Sequence, residues 1–79
     1  MTIFSYNICT QADKDIFEKQ CKALEKNIPE IQKGKKLEDV DGSETQFYVL
    51  NGKHINVHNS YYIDAVFIDS EIKLESYFD

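Results

Sequence analysis

The sequence contains no arginine and no tryptophan, and it has only one proline, three glycines and two cysteines in 79 residues. So little proline and glycine excludes collagen-like chains and flexible linkers. No apolar run approaches the roughly 20 residues that a membrane-spanning helix needs, so we expect no membrane partner. This length has room for one domain, and residues 1–79 are treated as a single small globular domain.

The absence of arginine also makes nucleic acid a poor candidate for the partner. Nucleic-acid recognition relies on arginine and lysine at phosphates and guanine edges, whereas this chain has 14 acidic residues against 9 lysines. From Ser43 to Asp79 there are six acids and two lysines, so the second half is the more acidic. We therefore expect no direct nucleic-acid binding, and an electrostatic field that attracts a basic protein. The alternative is that the negative charge serves solubility alone.

The two cysteines are expected to be free thiols. Cys9 should end a strand and Cys21 should lie about 15 Å along the following helix, whereas a disulfide requires Cα atoms within about 7 Å. The first residues contain no basic start followed by an apolar stretch, so no secretion signal is visible. Free thiols without such a signal are typical of a reducing compartment, and we expect a cytoplasmic location.

Hydrophobic periodicity predicts a strand followed by one long helix. Thr2 to Cys9 alternates between apolar and polar residues, which indicates a half-buried strand with Ile8 on its apolar face. Thr10 is the expected N-cap of a helix from Gln11 to about Asn27. Seven residues fall within one sector of the helical wheel about 140° wide, which should pack on a sheet. These residues are Ile16, Phe17, Gln20, Cys21, Leu24, Asn27 and Ile28.

Asn51-Gly52 is the strongest turn signal in the sequence, because a type I′ hairpin turn needs positive φ at both positions. Thr45 to Leu50 and Lys53 to His58 are the predicted flanking strands, and the two-residue loop sets Tyr48 opposite Ile55. One face of this hairpin then carries Tyr48, Leu50, Ile55 and Val57, and the other carries Phe47, Val49, His54, Asn56 and His58.

The segments on either side of this hairpin are less regular. The polar stretch from Lys35 to Gly42 is interpreted as a loop, with Leu37 or Val40 tucked against the core. Tyr62 to Asp69 and Ile72 to Phe78 are predicted to form a second hairpin. For the last segment the alternative is a short C-terminal helix. The strand interpretation places Asp64, Val66, Ile68, Lys73, Glu75 and Tyr77 on one face.

Together these elements predict an α+β fold with the order β-α-β-β-β-β. A single long helix packs on one face of a four- to five-stranded antiparallel sheet. One helix covers only one face, so the other face should expose apolar residues rimmed by polar ones, which is the anatomy of an interface. The alternative left open is that the 35–42 loop folds over that face.

No arrangement of residues in the sequence predicts an enzyme. His54 and His58 lie four residues apart on a predicted strand, which separates them by roughly 13 Å, too far to share one metal ion. Asp64 and Glu75 on one strand face are more typical of a solvated or contact surface than of a general acid–base pair. We therefore expect no catalytic residues, no cofactor and no metal site.

The sequence favours a small acidic binding protein that occludes or inhibits a basic partner protein, as immunity proteins, antitoxins and phage-encoded inhibitors do. The alternative is a structural or regulatory homo-oligomer associating through the uncovered sheet face or an edge strand, so we expect a monomer or a homodimer. The lysine-, isoleucine- and asparagine-rich composition is typical of a bacterial or phage chain. The predicted partner-binding residues are Tyr61, Tyr62, Asp64, Val66, Ile68, Glu75 and Tyr77, with a secondary set of Phe47, Val49, His54 and His58.

Overall fold

The computed structural model describes residues 3–78, apart from two side chains in the last helix. The elements are β1 (Phe4–Cys9), α1 (Lys14–Asn27), β2 (Gln32–Glu38), β3 (Glu44–Leu50), β4 (Lys53–Ser60), β5 (Ala65–Ser70) and α2 (Glu75–Phe78). The five strands form one antiparallel sheet in the order β1-β5-β4-β3-β2, and the long helix α1 packs across one face. The predicted α+β fold is therefore confirmed. No helix within residues 3–78 is long and apolar enough to cross a membrane.

Helix α1 begins later than predicted, because Asp13 rather than Thr10 is its N-cap. One carboxylate oxygen of Asp13 accepts hydrogen bonds from the N–H groups of Asp15 at 2.9 Å and Ile16 at 3.2 Å. These bonds satisfy two of the backbone donors that the first turn of a helix leaves unpaired. The predicted buried stripe is confirmed at four of its positions, which are Phe17, Cys21, Leu24 and Ile28.

The central hairpin matches its prediction residue for residue. Tyr48 lies opposite Ile55 and Val49 opposite His54, and the turn residues Asn51 and Gly52 have φ values of 52° and 78°. The two faces consequently hold the predicted residues. The side facing α1 buries Tyr48, Leu50, Ile55 and Val57.

The prediction of a loop from residue 35 to 42 is wrong for its first half. Residues 35–38 belong to the edge strand β2, which spans Gln32–Glu38. All seven of its residues are exposed, so the strand has no apolar alternation that a sequence pattern could reveal. Leu37 and Val40, expected in the core, both point into solvent. A bulge interrupts β2, and the side-chain amide of Gln46 donates hydrogen bonds to the carbonyls of Gly34 and Lys35 there.

The last segment is the short helix α2 and not the favoured strand. The Ser70 hydroxyl donates to the Ile72 carbonyl at 2.7 Å and accepts from the Ile72 N–H at 3.1 Å, which turns the chain out of the sheet. Leu74 then enters the core. The free edge of β5 is occupied by β1 instead, with Tyr6 opposite Ile68.

Strand β1 also departs from simple alternation near its end. A bulge between Asn7 and Cys9 shifts the register, so Ile8 is exposed and not on the apolar face where it was predicted. Cys9 and Cys21 are both free thiols, and burial raises the pKa of the Cys21 thiol. The core therefore lies between α1 and one face of the sheet, closed at one side by Leu74.

Candidate functional site

The two faces of strand β5 are exchanged relative to the prediction, so the residues predicted to face away from the helix lie on the helix side of the sheet. Val66 and Ile68 are 0% and 2% exposed and belong to the core beneath α1, so they are not available to a partner. The four-residue turn Tyr61–Asp64 sets Ile68 opposite Val57, which places both on the helix side of the sheet. The residues that β5 contributes to the other face include Phe67 and Asp69.

Glu75 and Tyr77 lie on α2 and not on the sheet. Glu75 accepts a hydrogen bond of 2.8 Å from the Tyr6 hydroxyl, and this hydroxyl in turn accepts the Leu74 N–H at 3.0 Å. The pKa of Glu75 is lowered, first by its own backbone N–H and then by the Tyr6 hydroxyl. Glu75 therefore holds α2 against β1, and it does not form the carboxylate face with Asp64 that was predicted.

Tyr61, Tyr62 and Asp64 lie at one end of the sheet, in the turn between β4 and β5. The turn between β2 and β3 reaches the same end, because β2 and β4 finish there and β3 and β5 begin there. We call the residues that these two turns expose the loop end. It consists of Asp39, Val40, Asp41, Tyr61, Tyr62, Ile63 and Asp64.

Four large apolar side chains of the loop end are exposed. Val40 is fully exposed, Tyr62 is 90% exposed, Ile63 57% and Tyr61 49%. Burying a side chain of this size contributes about 1.5–3 kcal/mol, which the fold leaves unused at each of these positions. Three carboxylates accompany them in the same two turns. Exposed apolar side chains together with charged ones are found in protein interfaces.

Hydrogen bonds and packing hold the two turns together. The N–H of Tyr61 donates to the Ser43 hydroxyl at 2.9 Å, and the Tyr61 ring lies 3.5 Å from the position of a Cβ at Gly42. Gly42 has a φ of +90°, a conformation that favours glycine. Asp41 accepts the Ser43 N–H at 2.9 Å, which lowers the pKa of its carboxyl. These contacts therefore join the turn between β2 and β3 to the turn between β4 and β5.

Asp64 connects the loop end to a third segment, the linker between β1 and α1, by a hydrogen bond. Its carboxylate accepts the N–H of Ala12 at 2.8 Å, in the linker between β1 and α1. Asp64 also has a φ of 55°, in the left-handed region that aspartate tolerates better than most residues. Nearby, the side chain of Asn59 accepts the Asp13 N–H at 3.0 Å. Asp64 thus has a structural role in addition to its charge.

The sheet face turned away from α1, which we call the open face, carries the predicted secondary set. Phe47, Val49 and His58 are half-buried there and His54 is exposed. No segment within residues 3–78 folds over this face, because residues 35–42 continue the sheet edge and its turn instead. The open face consists of Thr45, Phe47, Val49, His54, Asn56, His58, Phe67 and Asp69.

His58 is the most constrained side chain of the open face. Its ring stacks on Phe67 with centroids 4.6 Å apart, and its Nδ1 lies 3.0 Å from the Thr45 hydroxyl. Its Nε2 lies 3.4 Å from a carboxylate oxygen of Asp69. Burial lowers the pKa of His58, and the negative charge of Asp69 opposes this shift. Burial therefore favours the neutral imidazole, which packs on Phe67 as an aromatic group.

Among residues 3–78, no three histidine, cysteine or carboxylate side chains converge closely enough to hold a metal ion. A shallow groove of about 280 Å³ runs beside His54 and Asn56 on the open face. Pockets for small molecules are usually larger, about 300–1,000 Å³, and enclosed.

Sequence reasoning missed four residues of the loop end. Val40 was expected in the core and Ile63 in a strand, while Asp39 and Asp41 were treated as parts of a plain loop. The sequence contains one signal that Val40 is exposed. Val40 is the single apolar residue in the run Asp39-Val40-Asp41-Gly42, whose other members are turn-forming residues. An apolar residue in such a turn has no strand neighbours to pack with.

No protein-family model matches the chain, and neither the curated proteins nor the solved structures include one that is significantly similar to it.

Proposed function

We propose that the chain is a small acidic binding protein of the bacterial or phage cytoplasm that captures a basic partner protein through its loop end. By covering the partner's working surface it would act as an immunity protein, an antitoxin or a phage-encoded inhibitor does. The observation that carries this proposal is the exposure of Val40, Tyr62 and Ile63 on turns that also carry Asp39 and Asp41.

The apolar side chains of the loop end supply the short-range part of the proposed contact. Tyrosine contributes a large contact area and loses little conformational freedom, which is why aromatic residues are enriched at the energetic centres of interfaces. Tyr61 is already held by Ser43 and Gly42, whereas Tyr62 is nearly free of other contacts. Tyr62 is therefore the expected anchor.

The charge of the loop end supplies the long-range part. No lysine occurs in residues 37–52 or in residues 54–72, so both turns carry acids and no lysine, and the lysines of β2 lie on the strand before the first turn. A cluster of one sign of charge raises the encounter rate with an oppositely charged partner. The partner that fits is thus a protein with a basic surface surrounding an apolar patch.

In this proposal the chain is not an enzyme. Several of its best placed carboxylates are already engaged in structural contacts, such as Asp64 with the Ala12 N–H and Glu75 with the Tyr6 hydroxyl. Glu44, which is almost fully buried, pairs with Lys36 at 3.0 Å. These pairings support a role for the acids in holding the fold, while Asp39 and Asp41 of the loop end are exposed.

The test is capture of a partner from a bacterial lysate, followed by binding kinetics with the isolated partner. Two variants change the loop end, Asp39→Lys and Tyr62→Ala, and a matched control, Glu18→Lys, makes the same charge change on the exposed face of α1. Asp64 and Glu75 are unsuitable for charge reversal, because their side chains support the fold.

We expect the captured partner to be basic. Its association rate constant should fall severalfold when Asp39→Lys replaces the wild type, and it should fall further when the salt concentration is raised. Tyr62→Ala should instead speed dissociation by roughly tenfold or more, as loss of an anchor does. The control should change both rates little. If Glu18→Lys abolishes binding and the loop-end variants do not, α1 is the working surface and the proposal is wrong.

A further inference from the structure

We propose that the chain pairs with a second copy of itself along the outward edge of β1, joining two five-stranded sheets into one continuous antiparallel sheet. This surface is separate from the loop end, and the inference does not depend on the proposed function. It comes from the contrast between the two edge strands.

Strand β2, at one edge, is protected against pairing. Three of its seven residues are lysines, Lys33, Lys35 and Lys36, and a bulge interrupts its ladder with β3. The carbonyls at the bulge are already occupied by the side-chain amide of Gln46. Lysines and bulges on an edge strand are the usual means of preventing strand addition, since two such edges repel each other and do not align.

Strand β1, at the other edge, has none of this protection before its bulge at Ile8. No charged residue occurs in residues 3–12. Within the part of the chain that the structure describes, the backbone of Phe4–Cys9 makes no hydrogen bonds except those to β5. The outward N–H and C=O groups of Phe4 to Asn7 are thus available to another strand.

Side-chain direction restricts the register of such a pair. Residues directly opposite each other in an antiparallel ladder point to the same face. A two-fold axis at Ser5 satisfies this condition, because it sets Ser5 against the second copy's Ser5 and Phe4 against the second copy's Tyr6. Two aromatic cross-strand pairs then form on the helix side of the joined sheet, and aromatic pairs of this kind stabilise strand pairing.

The charge distribution also favours this edge for self-association. Each copy has a formal charge of −5, so two copies repel each other at most surfaces. The acids that contact this part of β1 are already engaged: Asp69 accepts a hydrogen bond of 2.8 Å from the Ser5 hydroxyl, and Glu75 accepts one of 2.8 Å from the Tyr6 hydroxyl. Salt should therefore strengthen the self-association, whereas it weakens capture of a basic partner at the loop end.

The test is sedimentation velocity on the full chain from micromolar to millimolar concentration. The wild type should form a dimer whose dissociation constant falls as salt is added. Ser5→Lys and Ser5→Glu each place like charges directly opposite at the axis and should weaken the dimer by at least about tenfold. An equimolar mixture of the two variants should restore a heterodimer, which a merely misfolded variant could not do.

The matched control is Gln32→Lys, which adds one lysine to the exposed edge strand β2 and should leave the dimer intact. If the Ser5 variants fail to fold by circular dichroism, Asn7→Lys introduces the charge at an exposed position whose side chain makes no hydrogen bond in the structure. A wild type that stays monomeric at millimolar concentration would overturn the inference. So would a dimer that survives Ser5→Lys or that is lost with Gln32→Lys.

Discussion

The two faces of the sheet are built by the same strands and yet differ in how completely they are covered. Beneath α1, Tyr48, Ile55 and Val57 are fully buried. On the open face Phe47 and Val49, which alternate with them along β3 and β4, keep part of their surface in water. The comparison shows that alternation along a strand separates two faces, and that only the position of the helix decides which face becomes the core.

The face covered by α1, which we call the covered face, also contains polar residues. Their hydrogen-bond and ion-pair partners differ from those of the polar residues on the open face. Gln46 and Glu44 are nearly inaccessible, and each has defined partners, the bulge carbonyls of β2 for Gln46 and the Lys36 ammonium for Glu44. On the open face the His58 side chain is 23% exposed, and its Nε2 lies 3.4 Å from a carboxylate oxygen of Asp69 without forming a hydrogen bond. The covered face is expected to carry most of the stability, and the open face to tolerate change.

The largest difference between the faces should appear on truncation of an apolar side chain. Leu24→Ala removes a fully buried leucine from the core and should lower the free energy of unfolding by about 2–5 kcal/mol, because a cavity remains. Val49→Ala on the open face should cost less than about 1 kcal/mol, since water replaces part of the lost contact. Urea unfolding of both variants measures the difference. Equal losses would show that the open face is covered.

A smaller effect should follow removal of one buried hydroxyl. Tyr48 is fully buried, and its hydroxyl donates to a carboxylate oxygen of Glu25 at 2.8 Å. Burial raises the pKa of Tyr48, so the hydroxyl remains a donor at all ordinary pH values. Tyr48→Phe keeps the packing and loses the bond, which should cost about 0.5–1.5 kcal/mol. The control is Tyr62→Phe at an exposed ring, where a loss as large would contradict this account.

Local signals predicted the parts of the fold that local chemistry determines. Asn51-Gly52 sets the turn and hence the register of the central hairpin, and the apolar spacing of α1 identifies its buried stripe. Strand β2 has no such signal, because a fully exposed edge strand needs no apolar alternation. The end of the chain was misassigned because β1, which is distant in sequence, occupies the edge of β5 where a further strand was predicted.

The candidate site was predictable only in part for the same reason. Tyr61 and Tyr62 could be identified as interface residues from their type and their acidic neighbourhood. Their association with Val40 depends on two turns from different hairpins meeting at one end of the sheet, which no local pattern encodes. Val66 was misplaced because the turn before β5 determines the face on which it lies.

The smallest expected effect tests the electrostatics of the open face through the pH dependence of stability. Burial lowers the pKa of His58 below its ordinary value of 6.5. The unfolded chain therefore binds more protons than the folded one in the range below about pH 6.5. The contribution of His58 to stability should be complete above that pH, and it should be lost as the pH falls through the folded-state pKa.

Urea unfolding from about pH 7.5 to about pH 5.5 measures this dependence, in a range above the titration of ordinary carboxylates. His58→Gln should flatten the loss of stability on acidification. Asp69→Asn should make it steeper, because the carboxylate that favours the imidazolium is gone while an oxygen remains to accept the Ser5 hydroxyl. A slope that is unchanged by His58→Gln would mean that the ring is as well solvated as in the unfolded chain. In that case the stacking on Phe67 would not amount to burial, and the open face would be more open than its geometry indicates.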